Sequence, residues 1–447
     1  MSNPIPVICV EEGGLAATTI TPAQHAWATA NDFTGQRGRL LPIPDGQSGL
    51  SAYLFGLGGV PGRPTLITGI AGANLPAGEY RLEGAYGDPT LAAIGFRLGA
   101  YRFDRYRTAK AVPTLQAPEG ADAAEIDRLV EAAVLARDLV NTPTNDLGPD
   151  AFEAFIRDFA TTRGMAITVT AGEDLLTDNF PLIHAVGRAA DQAPRLSDLS
   201  WGEPSHPKVT LVGKGVTFDT GGLDIKSSAG MLLMKKDMGG AANVLGLAHA
   251  IVSAGLKLRL RVLIPVVENA ISASSFRPGD VLPSRKGLTV EIGNTDAEGR
   301  LILADALALA DEESPELLLD MATLTGAARV ALGPELPALF STDDGLARDL
   351  MHAGLVADDP LWQMPLWSPY DTMMNSKIAD VNNAGAGGFA GSITAALFMR
   401  RFVSNAKAWV HLDIMAWAPD ARAGRPQGGT DHGIRSVYGV LKQRYPA

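Results

Sequence analysis

VTLVGKGVTFDTGGLDIKSS, residues 209–228, decides the fold. Val209 to Val212 reads as a buried strand. It opens at once into a glycine-rich polar loop that holds Lys214, Asp219, Asp224 and Lys226. Buried strands followed by such loops belong to open α/β sheets, in which ligands sit beyond the carboxyl ends of the strands.

Working outward, the same rhythm continues. Gly239 and Gly240 precede a small-residue helix from Ala241 to Ala254, and Leu258 to Val267 reads as a strand. Leu288 to Ile292 is another strand, Leu301 to Ala310 a helix, and Leu317 to Ala322 and Ala408 to Ile414 are further buried strands. Upstream, Phe152, Phe155, Ile156 and Phe159 mark an amphipathic helix, and Ala166 to Thr170 reads as a strand. Ile126, Leu129, Val130, Ala133 and Val134 form the apolar face of an earlier helix, which Asn141, Pro143 and Asn145 stop. The pattern predicts an α/β protein. A mixed, largely parallel sheet flanked by helices forms a large C-terminal domain over 150–447. A smaller α/β N-terminal domain covers 1–115, and 116–149 is a linker and connecting helix. Across the boundary between the two, TAKAVPTLQAPEGA, residues 108–121, reads as linker sequence.

Composition narrows the function classes. The 447 residues are 46% hydrophobic with mean hydropathy +0.08, ample for a buried core. The formal net charge of -11 repels phosphate backbones and anionic headgroups, so nucleic acid and membrane surfaces are not the expected partners. One cysteine, Cys9, excludes an internal disulfide and a cysteine-based zinc site. The opening MSNPIPVICVEEGG lacks a positive n-region and a long apolar h-region, and no stretch is apolar for long enough to span a bilayer. The expected location is the cytoplasm.

Three loops concentrate polar chemistry. The first follows Val212. The second, MKKDMGG, places Asp237 just before a helix. The third, NTDAEGR, carries Asp296, Glu298 and Arg300 after the 288–292 strand. Singly, Asp219, Asp237 or Lys226 reads as a cap, a turn former or an ion-pair partner. Together, four converging carboxylates need neutralising by side-chain cations or by metals. Hard oxygen ligands with few histidines suit Mg, Mn or Zn. Two such ions roughly 3.5 to 4 Å apart share bridging carboxylates and hold a hydroxide between them, an arrangement suited to amide hydrolysis.

NTDAEGRL at 294–301 resembles the signature of the leucyl aminopeptidase family, the cytosol aminopeptidases with two metals. VGKGVTFDTGG at 212–222, KKDMGGAA at 235–242 and LGAYRFDRYR at 98–107 are similar to further segments of that family, in the same order. The resemblance implies a metal-dependent aminopeptidase acting on peptides, with Zn or Mn, or Mg or Co, at two sites per subunit. It implies that Asp219 and Glu298 bridge the metals, that Asp296 ligates one, and that Lys214 and Asp237 complete the other. Lysine ligates only when neutral, and two adjacent cations lower its pKa. Lys226 would stabilise the oxyanion. Arg300 would hold a bicarbonate that serves as proton shuttle in place of a side-chain base. Thr323, Leu324 and Gly326 in MATLTGA match the family's substrate loop, and Met234 matches a pocket residue, although it reads equally well as a core methionine. The family's assembly implies a homo-hexamer.

The chain departs from the pattern at HLDIMAWAP, 411–419, where Met415 and Trp417 stand in a stretch that is usually small. Rival readings fit less well. A two-metal phosphoesterase calls for histidine ligands, and none lies in the three loops. Some relatives of the family also bind DNA, against which the net charge argues. Gly385 to Ala390 fits a loose dinucleotide fingerprint without a clear strand before it, and reads as a backbone turn.

Overall fold

The computed structural model describes residues 3–47 and 49–447. The chain forms two compact units. One comprises residues 1–134, 356–358 and 418–428, and the other 135–355, 359–417 and 429–447.

The smaller unit is built on a five-stranded mixed sheet in the order Leu40–Pro44, Leu50–Gly58, Ile5–Glu11, Gly78–Gly84, Pro113–Leu115. Successive strand side chains point to opposite faces, and the sequence of Ile5–Glu11 uses both. Val7 and Cys9 join one apolar cluster with Phe96 of the helix Pro89–Ala100. Ile8 and Val10 join another with Ala28 of the helix Pro22–Ala30. The stretch read as linker contributes the last strand, Pro113–Leu115, paired in parallel with Gly78–Gly84. Backbone pairing at a sheet edge makes few demands on side chains, so its two prolines did not prevent it.

In the larger unit the sheet order is Trp362–Gln363, Ala338–Ser341, Trp409–Asp413, Leu317–Ala322, Lys208–Gly213, Arg259–Asn269, Arg195–Trp201, Ala166–Ala171. The four central strands run parallel to one another. Those at the sides, Ala338–Ser341 and Arg195–Trp201, pair antiparallel with them. Leu317–Ala322 and Trp409–Asp413 are buried at every position, as strands covered on both faces must be. The sheet is therefore mixed and largely parallel, as the alternation of apolar runs predicts. The helices Pro181–Gly187, Gly299–Asp311 and Gly391–Arg400 share one apolar core with it.

One predicted strand sits elsewhere. Thr289–Glu291 pairs antiparallel with Val281–Pro283 and parallel with Val381–Asn382, in a separate three-stranded sheet. Its apolar character reports burial of Val290 in the core, which is common to both sheets. No helix among the described residues is long and apolar enough to cross a membrane.

The helix Gly239–Ala254 lies directly on the central strands. A Cβ at Gly240 would stand 2.1 Å from the carbonyl oxygen of Met321. Neither backbone can withdraw without disturbing the sheet. Gly240→Ala should therefore lower stability by about 1–3 kcal/mol through overpacking, read as a fall in the thermal midpoint. An unchanged midpoint would contradict this close approach.

Candidate active site

The carboxyl ends of the parallel strands carry the polar loops. Lys208–Gly213 ends at Lys214, whose N–H donates to Met321 O at 3.0 Å. The chain then resumes as Gly215–Asp219 alongside the end of Arg259–Asn269 and delivers Asp219. Gly221 and Gly222 follow with φ of 87° and 64°, a left-handed bend suited to glycine. The bend returns the backbone so that Lys226 N donates to Thr220 O at 3.0 Å. Asp237 lies in the tight turn Met234–Met238 that leads into the helix Gly239–Ala254. Glu298 immediately precedes the helix Gly299–Asp311, where the helix dipole favours a negative charge.

These residues meet. Oxygens of Asp219, Asp296 and Glu298 lie within 4.8 Å of one another. Asp237 is joined to that triangle through Lys214, whose Nζ is 2.7 Å from Asp237 Oδ2, 2.9 Å from Glu298 Oε1 and 3.0 Å from Thr323 O. Lys226 Nζ is 2.8 Å from Asp219 Oδ2 and also pairs with Asp296 Oδ1. Asp219, Asp237 and Glu298 are buried, and Asp296 is partly exposed.

Burial and mutual repulsion govern the titration. Burial, then Asp219, pushes Glu298 up to about 8. The same two causes push Asp296 up to about 6. For Asp237 burial acts upward, but Lys214 and Lys236 hold it below the ordinary carboxylate value. Burial would lower Lys214, yet Asp237, Glu298 and Asp219 hold it above the usual lysine range. Lys226 is raised in the same way, chiefly by Asp219 acting against burial. Burial lowers Arg300 to about 10 and Lys236 to about 8. Four carboxylates in direct contact with two ammonium groups form a hard, oxygen-rich set that fits divalent cations.

A cavity of about 380 Å³ opens above this cluster. Lys214, Asp219, Lys226, Met234, Asp237 and Asp296 line it, as do Arg300, Thr323, Leu324 and Gly326. All four expected substrate-loop and pocket residues thus face one space, Met234 included. Met415 and Trp417 are not among the residues that line it. Instead the ring of Trp417 carries the ammonium of Lys235, 5.6 Å from its centroid.

The structure adds contacts that the sequence did not reveal. Asn269 Nδ2 donates to Asp219 Oδ1 at 2.8 Å. Thr323 Oγ1 is 2.8 Å from Asp237 Oδ1, which orients that carboxylate. Asn383 holds the 293–297 loop: its Oδ1 accepts from Gly293 N at 2.8 Å, and its Nδ2 donates to Asn294 O at 2.8 Å. Its backbone oxygen receives Arg300 Nη1 at 2.7 Å. Asp413 Oδ1 accepts from Leu324 N and Thr325 N, both at 3.2 Å, and Oδ2 accepts from Thr325 Oγ1 at 2.6 Å. Asn383 and Asp413 lie some 90 residues from the backbone they hold, so no local pattern could reveal them.

The catalytic-domain model of the cytosol aminopeptidase family matches residues 134–438. The chain belongs to that family. A model of the M17 aminopeptidase N-terminal domain also matches residues 5–118. The protein is a metallo-aminopeptidase, a hydrolase of the protease class. A probable cytosol aminopeptidase of Syntrophotalea carbinolica is 43% identical over 391 residues, spanning 82% of this chain and 78% of the relative. Another, of Nitrobacter winogradskyi, is 39% identical and spans 94% of this chain and 90% of its own. The crystal structure of cytosol aminopeptidase from Coxiella burnetii superposes with a TM-score of 0.94 at 43% identity, covering 100% of this chain and 98% of that one. The bottromycin maturation enzyme BotP in complex with Mn superposes with a TM-score of 0.90 at 34% identity, covering 99% and 100%.

The raised carboxyls of this aminopeptidase set a pH dependence. Asp296 and Glu298 keep their protons to higher pH in the folded, metal-free site than in the unfolded chain. Their contribution to stability is present below the ordinary carboxylate range and is lost as pH rises through about 6 and then about 8. A bound cation competes with those protons. Divalent cobalt titrated into metal-free protein should bind more tightly as pH rises across this window. Proton release should appear as a dependence of the calorimetric heat on the buffer. A pH-independent affinity without proton release would rule out protonated carboxyls at the site.

Proposed function

We propose that this metallo-aminopeptidase removes the N-terminal residue from peptides by a two-metal mechanism at the Asp219–Asp237–Asp296–Glu298 cluster. The observation that carries the reading is the meeting of the Asp219, Asp296 and Glu298 oxygens within 4.8 Å, beside a lysine that contacts both Glu298 and Asp237. When bound, a pair of divalent ions supplies an activated water as nucleophile and a Lewis acid for the scissile carbonyl. Manganese or zinc suits these donors, and BotP, at 34% identity, was solved with Mn.

Asp219 and Glu298 would hold both ions, Asp296 one of them, and Lys214 and Asp237 the other. As a ligand Lys214 would be neutral, its proton passed to solvent, which the added positive charge favours. With ions bound, Asp219 and Asp296 would no longer need the Lys226 ammonium as their counter-charge. That frees Lys226 to hold the oxygen that gains charge at the scissile carbonyl. Arg300, tied by Nη1 to Asn383 O, has a buried Nε without a hydrogen-bond partner. It is available to hold a bicarbonate that carries the proton from nucleophile to leaving amine. Met234, Thr323, Leu324 and Gly326 line the cavity where the first residue would lie. A homo-hexamer in the cytoplasm belongs to the same reading.

Glu298→Gln should abolish most turnover of an aminoacyl anilide while the circular dichroism spectrum stays native, because a bridging charge is lost. Near-normal turnover would remove Glu298 from the mechanism. Lys226→Ala should lower kcat by about 10²–10³ with a smaller change in KM, as loss of an oxyanion donor does. A change confined to KM would make Lys226 a binding residue instead.

A further inference from the structure

The proposed chemistry leaves two cations of the cavity unused. Lys236 and Arg329 both line it. Lys236 is only 2% exposed. Among the described residues, neither its amine nor the Arg329 guanidinium makes an ion pair or a side-chain hydrogen bond. The carboxylates that act on Lys236 are Asp237 and Asp413. Asp237 already receives Lys214 and the Thr323 hydroxyl. Asp413 is committed to the Leu324–Thr325 backbone and the Thr325 hydroxyl. Arg329 and Lys214 add repulsion at Lys236.

An unpaired cation held out of water is costly. Lys236 is such a cation, and the partly exposed Arg329 lines the same cavity, so the two form a site complementary to an anion. The same cavity reaches Asp219, Asp237 and Asp296, so the anion that fits is one carried by the peptide close to the bond that is cut.

We propose that Lys236 and Arg329 form a subsite for a carboxylate of the substrate and so direct the enzyme toward acidic peptides. The inference rests on the aminopeptidase reading, which fixes the N-terminal residue in this cavity. The side chain of an N-terminal Asp or Glu is therefore the favoured source of the carboxylate. The free C-terminus of a dipeptide is the other source.

The test compares kcat/KM of the metal-loaded enzyme for Glu- and Gln-p-nitroanilide, and for Leu-Gly and Leu-glycinamide. Ratios within each pair are the readout, so a general loss of activity does not imitate the effect. The wild type should prefer Glu over Gln by about tenfold or more. Lys236→Met and Arg329→Gln should each bring that ratio toward one, mainly through KM. If instead the preference for Leu-Gly over Leu-glycinamide is present and collapses in the variants, the subsite stands and reads the C-terminus. Wild-type ratios near one in both pairs, or ratios that persist in both variants, overturn the subsite. Absence of activity on every compound would count against the aminopeptidase reading itself.

Discussion

Repulsion among buried carboxylates is the constraint on which this active site depends. Asp219, Asp237 and Glu298 are each almost fully buried, and Asp296 stands beside them. Water cannot screen these charges as it would at a surface. Protons, ammonium groups or metal ions must balance them. Burial beside Asp219 pushes Glu298 up to about 8 and Asp296 up to about 6, and Lys214 and Lys226 each join two carboxylates. The lysines to which the proposed mechanism gives roles are thus also internal counter-ions of the carboxylate cluster.

The sheet makes this arrangement affordable. Central strands buried at every position give the loops at their ends a rigid base. Side chains a step further out fix the loops themselves. Asn269 holds Asp219, Thr323 holds Asp237, Asn383 holds the 293–297 segment, and Asp413 holds Leu324 and Thr325. The bonds of Asn269 and Thr323 are buried, where such bonds are strong and their loss is expensive, and those of Asn383 and Asp413 are partly buried.

What could be read from sequence follows from how local each signal is. The apolar runs at 209–212 and 317–322 announced the sheet because burial on both faces leaves no room for alternation. The clustered Asp, Glu and Lys of three short loops announced the cluster, and the resemblance assigned their expected roles. The placement of Thr289–Glu291 in a separate sheet was illegible, because an apolar strand looks alike in either sheet. Pro113–Leu115 was hidden by linker-like composition at a sheet edge. Asn383, Asp413, Lys236 and Arg329 were passed over for a common reason. Their meaning lies in residues far along the chain, or in partners that are missing, and neither leaves a periodic trace.

The small sheet formed by Val281–Pro283, Thr289–Glu291 and Val381–Asn382 has a consequence for biosynthesis. The segment bearing Asp296 and Glu298 is anchored by Asn383, and the neighbouring loop by Asp413. A ribosome that has released only the first 380 residues has therefore made all five candidate metal ligands without Asn383, which holds the loop bearing Asp296 and Glu298.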